Sequence, residues 1–277
     1  MKTKILNGKK LAKKILENLK KKIKKSALKL RLAVIQVGES PISEIFIRQK
    51  EKACKILGID FKLYKFAKNI NPNLFKEKIR KIASNPFNSG IIIQLPLPKK
   101  FNTRDILNLI SPEKDIDVLS EKSQSQFYLE KLKILPPTLQ GIIYLLKKYK
   151  IKIEKKHFVV VGAGKLVGLP TALWLLQKKA TVSIIDKFTP DLSFFTKQAD
   201  ILISGVGKPN LISAKMVKRG AVVIDAGTTF KNGKIRGDVD FENVSKKASY
   251  ITPVPGGIGP MTVACLLENL VKLYEKS

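Results

Sequence analysis

Phe158-Val159-Val160-Val161-Gly162-Ala163-Gly164-Lys165-Leu166-Val167-Gly168-Leu169-Pro170 decides how the chain is read. Four apolar residues run into a glycine-rich turn, and a helical pattern follows through Ala172, Leu173, Leu175 and Leu176. Strand, tight turn and helix succeed one another. Glycine at 162 and 164 lets the chain turn sharply and lets a ligand approach bare backbone. The helix points unpaired N–H groups and the positive end of its dipole at the turn, which suits a pyrophosphate. The spacing departs from G-x-G-x-x-G, because Val167 holds the third glycine's place and Gly168 follows one residue late. An ordinary strand-to-helix turn is the alternative reading. A second apolar strand over 180–185 ends in Asp186, where an acid or base reads the adenosine ribose of a dinucleotide.

Working outward, the pattern alternates. After Asp186 come a strand over 201–204, the turn Gly205-Val206-Gly207-Lys208-Pro209, a helical stretch over 213–218 and a strand over 221–226. Gly205 and Gly207 end a strand and face the cofactor, or else form a plain loop. Before the glycine turn, 8–25 is an amphipathic helix built on Leu11, Ile15, Leu19 and Ile23, 32–37 a buried strand, and 43–57 a helix stopped by Gly58. A strand over 61–66, a helix over 74–82 and the strand Gly90-Ile91-Ile92-Ile93-Gln94 follow. Residues 120–137 read as a polar, irregular connection, and 141–149 as a helix entering the nucleotide unit. Strands alternating with helices predict an α/β protein with parallel sheets.

Within the helix over 43–57, Ser43, Phe46, Ile47 and Lys50 are spaced to share one face. A lysine there is desolvated and usable as a proton carrier, or it snorkels past the apolar stripe. Gln94 ends a buried strand ahead of Leu95-Pro96-Leu97-Pro98, where ligands of parallel sheets bind. Ser111-Pro112-Glu113-Lys114-Asp115-Ile116-Asp117-Val118 is a polar loop with two acids. Thr252-Pro253-Val254-Pro255-Gly256-Gly257-Ile258-Gly259-Pro260-Met261-Thr262 is a stiff loop shaped to hold something, and Pro260 fits the first turn of the closing helix.

Composition bounds the function. The 277 residues suffice for two domains. No apolar run is long enough to span a membrane, and the N-terminus has no apolar signal core, so a cytoplasmic protein is expected. Cys54 and Cys265 lack spaced partners and read as buried small hydrophobes. The single histidine, His157, reads as structural and leaves no room for a His-based triad or most zinc sites, so no metal is expected. The formal charge of +31 raises a nucleic-acid role. Its lysines are spread among acids and apolar residues, with no aromatic stripe, so weak polyanion binding is expected but no specific nucleic acid.

Taken in order, Val37-Gly38 with Ser43…Lys50, Gly90 to Pro98, Lys114-Asp115-Ile116-Asp117, Val161-Gly162…Val167-Gly168-Leu169-Pro170, Gly237-Asp238-Val239-Asp240 and Thr252 to Thr262 resemble the bifunctional methylenetetrahydrofolate dehydrogenase / methenyltetrahydrofolate cyclohydrolase family over nearly the whole chain. The late third glycine belongs to that family's turn. The resemblance implies two α/β domains with a folate cleft between them: 1–137 completed by the helix 260–277, and a Rossmann-like NAD(P)-binding domain over 138–252. It implies a homodimer formed through the nucleotide domain.

The resemblance also implies the chemistry: hydride transfer from methylenetetrahydrofolate to a nicotinamide, then hydrolysis of the methenyl product to formyltetrahydrofolate. It carries catalysis to Lys50, Gln94 and Asp117. Folate binding falls on these and on Ser43, Phe46, Leu95, Pro255, Gly256, Gly257 and Gly259. Cofactor binding falls on Gly162, Ala163, Gly164, Val167, Gly168, Asp186, Lys187, Gly205, Gly207 and Thr228. Lys187, standing where relatives place a Ser or Arg, favours NADP, with NAD the alternative.

Several positions depart from the family pattern. Phe46 replaces a Tyr, the linker reads Pro136-Pro137-Thr138-Leu139-Gln140-Gly141, Val118-Leu119 follows Asp117, and Ala163-Gly164 and Asp186-Lys187 stand at the dinucleotide turn. They leave open a member with weakened or lost cyclohydrolase activity, or a folate or nucleotide binder without turnover.

Overall fold

The computed structural model describes residues 3–231 and 233–275. These fall into two compact units. The first is Lys13–Pro137 with the segment from Val263, and the second is the N-terminal segment to Ala12 with Thr138–Thr262. In chain order the strands are β1 (Lys4–Ile5), β2 (Arg31–Val37), β3 (Asp60–Phe66), β4 (Gly90–Ile93), β5 (His157–Val161), β6 (Thr181–Ile185), β7 (Ile201–Ser204), β8 (Val222–Asp225), β9 (Thr229–Lys231), β10 (Lys234–Arg236) and β11 (Tyr250–Ile251).

In the unit built on Lys13–Pro137, β2 lies between β3 and β4, and both pairings are parallel. β4 is buried along its whole length, and β2 nearly so. Such strands are continuous apolar runs because helices cover both faces of a parallel sheet. The helix Pro41–Leu57 buries Ser43, Ile47, Lys50, Ala53, Cys54 and Leu57. That is one stripe at helical spacing, ended by Gly58 at φ 73°. It packs in a core with Leu32, Val34 and Ile92 and with Leu266, Leu267 and Leu270 of the closing helix, Ile258–Tyr274. Full burial of each such side chain contributes roughly 1.5–3 kcal/mol. Phe75, Ile79 and Ile82 of the helix Pro72–Ser84 cover the other sheet face with Ile35, Ile91 and Ile93.

In the unit built on Thr138–Thr262, six parallel strands run in the order β1-β11-β8-β7-β5-β6. The chain passes from β5 to β6 on one side, then returns past β5 to β7 on the other. The strand order therefore reverses at β5, and ligands of open α/β sheets bind beyond the carboxyl ends of strands at such a point. Lys4–Ile5, grouped with 13–137 in the expectation above, pairs with Tyr250–Ile251 at the edge of this sheet. β9 and β10 form an antiparallel pair.

Two stretches differ from the sequence reading. Within 120–137, expected to be irregular, Glu121–Tyr128 is a helix. Ser120 caps it, its Oγ accepting from the Ser123 N–H at 3.3 Å. Only Ser123 and Phe127 of that helix are buried, so it leaves almost no apolar periodicity to read. The stretch 213–218, expected to be helical, has a single 3-10 turn, Ala214–Met216, with no buried residue to anchor a longer helix. Cys54 and Cys265 are both buried and unpaired.

Candidate active site

In the first unit the site is assembled from three pieces of chain. The helix Pro41–Leu57 carries Lys50 on its buried stripe, at 8 % exposure. Phe46, one turn earlier, is half-buried, and Ser43 is buried. Strand β4 runs directly into Gln94, whose N–H donates to the Ile35 carbonyl at 2.8 Å and so continues the sheet register by one residue. Lys50 Nζ donates to Gln94 Oε1 at 2.9 Å, and Gln94 Nε2 donates to the Leu95 carbonyl at 3.1 Å. Both ends of the amide are thereby fixed. The Leu95–Pro96 bond that follows is cis.

The third piece is the loop 114–120. Ile91 of β4 donates its N–H to the Lys114 carbonyl at 2.9 Å, and Ile91 bridges to Asp115. Lys114 Nζ donates to the Ala83 and Asn85 carbonyls, each at 2.8 Å, tying the loop to the end of the helix Pro72–Ser84. Asp115 is buried and accepts from the N–H groups of Leu119 at 3.0 Å and Ser120 at 2.8 Å. Asn269 Nδ2 donates to the Ile116 carbonyl at 2.9 Å. With its neighbours thus held, Asp117 is left half-buried and accepts no hydrogen bond from the described residues. The sequence reading took Asp115 and Asp117 together as loop acids. The structure gives them different work: one holds the loop, the other presents a free carboxylate.

Burial lowers the Lys50 pKa from the usual lysine range, while Asp117 and Cys54 oppose the shift. Burial pushes the Asp117 carboxyl up to about 6, with Lys50 pulling it down and Asp115 pushing it further up. A lysine that can shed its proton, an amide fixed on it and a carboxylate with free acceptor capacity make an acid–base site. Among the described residues no cluster of His, Cys, Asp or Glu could hold a metal ion.

In the second unit, β5 ends at the glycine turn. Gly162 has φ 98°, the left-handed side that glycine alone enters freely. At Gly168 a Cβ would stand 1.6 Å from the Gly162 carbonyl oxygen. This contact explains the late third glycine: the helix Gly168–Gln177 starts directly against the turn, and no larger residue fits. No side chain caps that helix, and Ala163 and Gly164 are exposed before it while Val167 is half-buried. The loop after β7, with Gly205 and Gly207, borders the turn; a Cβ on Gly162 would stand 3.1 Å from the Gly205 carbonyl oxygen.

After β6, Asp186 Oδ1 accepts from the Phe188 N–H at 2.9 Å, so its carboxylate serves its own turn. Lys187 is exposed, 4.8 Å over the Phe188 ring, and forms no ion pair among the described residues. Thr228 is half-buried beyond β8. Pro255, Gly256, Gly257 and Gly259 also belong to this unit, Pro255 following a cis bond. The sequence reading missed Asp225 as a buried group. Its signal was an acid ending an apolar strand.

A parallel sheet whose strand order reverses at a glycine turn, together with a unit holding a buried Lys–Gln pair beside a carboxylate, defines a dinucleotide-binding α/β protein with acid–base chemistry. The tetrahydrofolate dehydrogenase/cyclohydrolase catalytic domain matches residues 6–117, and the NAD(P)-binding domain of the same description matches residues 136–277. The chain belongs to the tetrahydrofolate dehydrogenase/cyclohydrolase family. It is 46% identical over 276 residues to the bifunctional protein FolD of Nitratiruptor sp., covering 98% of each chain. The crystal structure of the bifunctional FolD enzyme from Campylobacter jejuni superposes with a TM-score of 0.92 at 43% identity, covering 98% of both chains. The Trypanosoma brucei methylenetetrahydrofolate dehydrogenase-cyclohydrolase, solved with NADP cofactor and inhibitor, gives a TM-score of 0.93 at 31% identity, covering 98% of this chain and 97% of that one. Among the described residues no helix is long and apolar enough to cross a membrane.

Proposed function

We propose that the protein oxidises 5,10-methylenetetrahydrofolate to the methenyl form with NADP and hydrolyses that product to 10-formyltetrahydrofolate. The observation that carries this reading is the buried Lys50 ammonium, 2.9 Å from Gln94 Oε1 and electrostatically coupled to Asp117. Asp117 accepts hydrogen bonds from the amino edge of the pterin, using lone pairs that no described residue occupies. Phe46 offers its ring for stacking, Ser43 stands one turn earlier on the same helix, and Leu95 follows Gln94 in the loop after β4. In the hydrolysis, water adds to the methenyl carbon and Lys50 in its neutral form takes one of the water's protons; as the bond from that carbon to N5 breaks, N5 takes this proton back from Lys50, the hydroxyl proton is released to solvent, and the carbon becomes the N10-formyl group. Gln94 orients the lysine and the water.

Bound NADP supplies the acceptor for the hydride that leaves the one-carbon bridge. Its pyrophosphate fits the turn of Gly162, Ala163, Gly164, Val167 and Gly168, where the helix Gly168–Gln177 starts without a side-chain cap and the space beside Gly164 is open. Gly205, Gly207 and Thr228 border its other half. Lys187 meets the ribose 2′-phosphate. In support, Lys187 is exposed and forms no ion pair among the described residues, while the Asp186 carboxylate is engaged by its own turn. The proposed setting is the cytoplasm, and the proposed assembly is a homodimer, which sedimentation equilibrium tests. In support of the latter, β6 is an edge strand with Ile184 exposed.

A spectrophotometric assay with methylenetetrahydrofolate and each nicotinamide decides the matter. NADP-dependent reduction with transient methenyl absorbance is expected, and its absence with both nicotinamides overturns the reading. A second reading, a dehydrogenase with weakened cyclohydrolase activity, is favoured by one observation. Phe46, one turn from Lys50, has no hydroxyl to bond the lysine or a water.

A further inference from the structure

The Gly237-Asp238-Val239-Asp240 motif has no part in the chemistry above, yet Asp238 is completely buried. Its Oδ2 accepts from Ser204 Oγ at 2.8 Å and from the Val206 N–H at 2.7 Å, and its Oδ1 accepts from the Lys208 N–H at 2.8 Å. All three donors lie in or beside the loop after β7. A second buried carboxylate, Asp225 at the end of β8, fixes Asp238 in turn. Asp225 Oδ1 accepts from the N–H groups of Asp238 at 3.1 Å and Gly227 at 3.0 Å, and its Oδ2 accepts from that of Val239 at 2.9 Å. Two glycines leave room for the pair. A Cβ on Gly227 would stand 2.1 Å from Asp238 Cγ, and one on Gly237 would stand 2.1 Å from Asp225 Oδ2.

The loop that Asp238 holds forms one lip of the crevice where the strand order reverses. The glycine turn after β5 forms the other lip, and Gly162 faces both the Gly205 carbonyl and Val206 Cγ2 across a Cβ distance of 3.1 Å. β6, which reads the adenosine ribose, lies on the opposite side of β5 from β7. A dinucleotide with its adenosine at β6 and its pyrophosphate at β5 places its nicotinamide half at the β7 loop. Among the described residues no cation pairs with Asp238; its charge is met by backbone N–H groups and one hydroxyl, so the carboxylate draws the loop inward to a fixed depth.

We propose that Asp238 is a positioning residue for the nicotinamide half of the cofactor: it fixes the 204–208 loop as the lip against which that half rests. This rests on the reading that the unit binds a nicotinamide dinucleotide. An amide at 238 keeps the shape but sets an NH2 group against one of the backbone donors.

The experiment compares the full-length parent with Asp238→Asn and Ser204→Ala. Steady-state kinetics are read for NADP and methylenetetrahydrofolate, and calorimetry reads adenosine 2′,5′-bisphosphate, a ligand that carries only the adenosine half. Asp238→Asn is expected to raise KM for NADP roughly tenfold while KM for the folate and Kd for the bisphosphate stay within about twofold, as the loss of a charge-assisted bond at one lip requires. Ser204→Ala, which removes one donor and keeps the charge, is expected to give a smaller rise of about threefold, and it carries the test if Asp238→Asn does not fold. Equal weakening of NADP and the bisphosphate, or no change for NADP, overturns the assignment while leaving the proposed function standing. A parent that binds no nicotinamide dinucleotide overturns both.

Discussion

Lys50 and Asp117 titrate against each other: the Asp117 carboxylate is the main influence opposing the burial that lowers Lys50, and the Lys50 ammonium is the main influence opposing the burial that raises Asp117. Burial outweighs this attraction, so each group stands nearer to changing its charge than it would in water. Removing either one moves the other, so variants at the two positions are expected to be non-additive.

Lys50→Met keeps the length of the side chain and removes the proton carrier. Methenyl hydrolysis is expected to fall by roughly a hundredfold or more, the usual worth of a positioned acid–base group, with a much smaller loss of hydride transfer. Separate assays of the two steps check this. A variant that hydrolyses methenyltetrahydrofolate at the parent rate removes Lys50 from the chemistry.

Asp117 gives the pH dependence. Its folded pKa, about 6, lies above its unfolded value. The folded chain therefore holds a proton that the unfolded chain has released, and this group's contribution to stability is lost as pH rises from about 4 through about 6. Folate binding runs the other way, because only the carboxylate offers all its lone pairs to the pterin. KM for the folate is expected to climb as pH falls through about 6, and Asp117→Asn should flatten that limb while weakening binding throughout. A parent profile without the limb counts against the assignment.

Phe46→Tyr adds the hydroxyl that the ring lacks beside Lys50. The ratio of cyclohydrolase to dehydrogenase activity is expected to rise several-fold, on the order of what one new hydrogen bond contributes. An unchanged or lower ratio shows that Phe46 does not limit hydrolysis.

Lys187→Ala is expected to weaken NADP about fivefold and NAD little, as an exposed charge facing a phosphate does. Asp186→Ala should loosen the turn after β6 through its lost bond to Phe188 without a comparable loss for NADP. If the parent favours NAD and loses that preference in Asp186→Ala, the two residues exchange roles.

Gly168→Ala tests the turn itself. The added methyl would lie 1.6 Å from the Gly162 carbonyl oxygen, so the backbone must move. Loss of dinucleotide binding and a lowered melting temperature are expected, whereas a parent-like affinity would show that the turn can open without cost.

The long apolar runs were legible because burial on both faces leaves mostly β-branched and aliphatic residues in β2, β4, β5, β7 and β8. The stripe ending in Lys50 was legible from helical spacing, though spacing did not tell a buried lysine from one that snorkels; the 2.9 Å bond to Gln94 does. The helix Glu121–Tyr128 was not legible, because a serine cap and one buried phenylalanine define it. The work of Asp115, Asp225 and Asp238 was not legible either. A buried carboxylate satisfied by backbone N–H groups has no partner that a sequence motif can name, and in the sequence it looks like any loop acid.

Strand β1 has a consequence for how the chain is made. Lys4 and Ile5 leave the ribosome long before their partners, Tyr250 and Ile251, and Thr3 Oγ1 donates to the Ala248 carbonyl at 2.7 Å across a similar separation. This edge of the six-stranded sheet is closed only after β11 has been made, and the closing contact is among the most distant in sequence of those described. Until β1 docks, β11 has an open flank, the kind of edge on which a second unfinished chain can pair. β1 thus waits for β11, and this flank of the sheet stays open until both strands have been made.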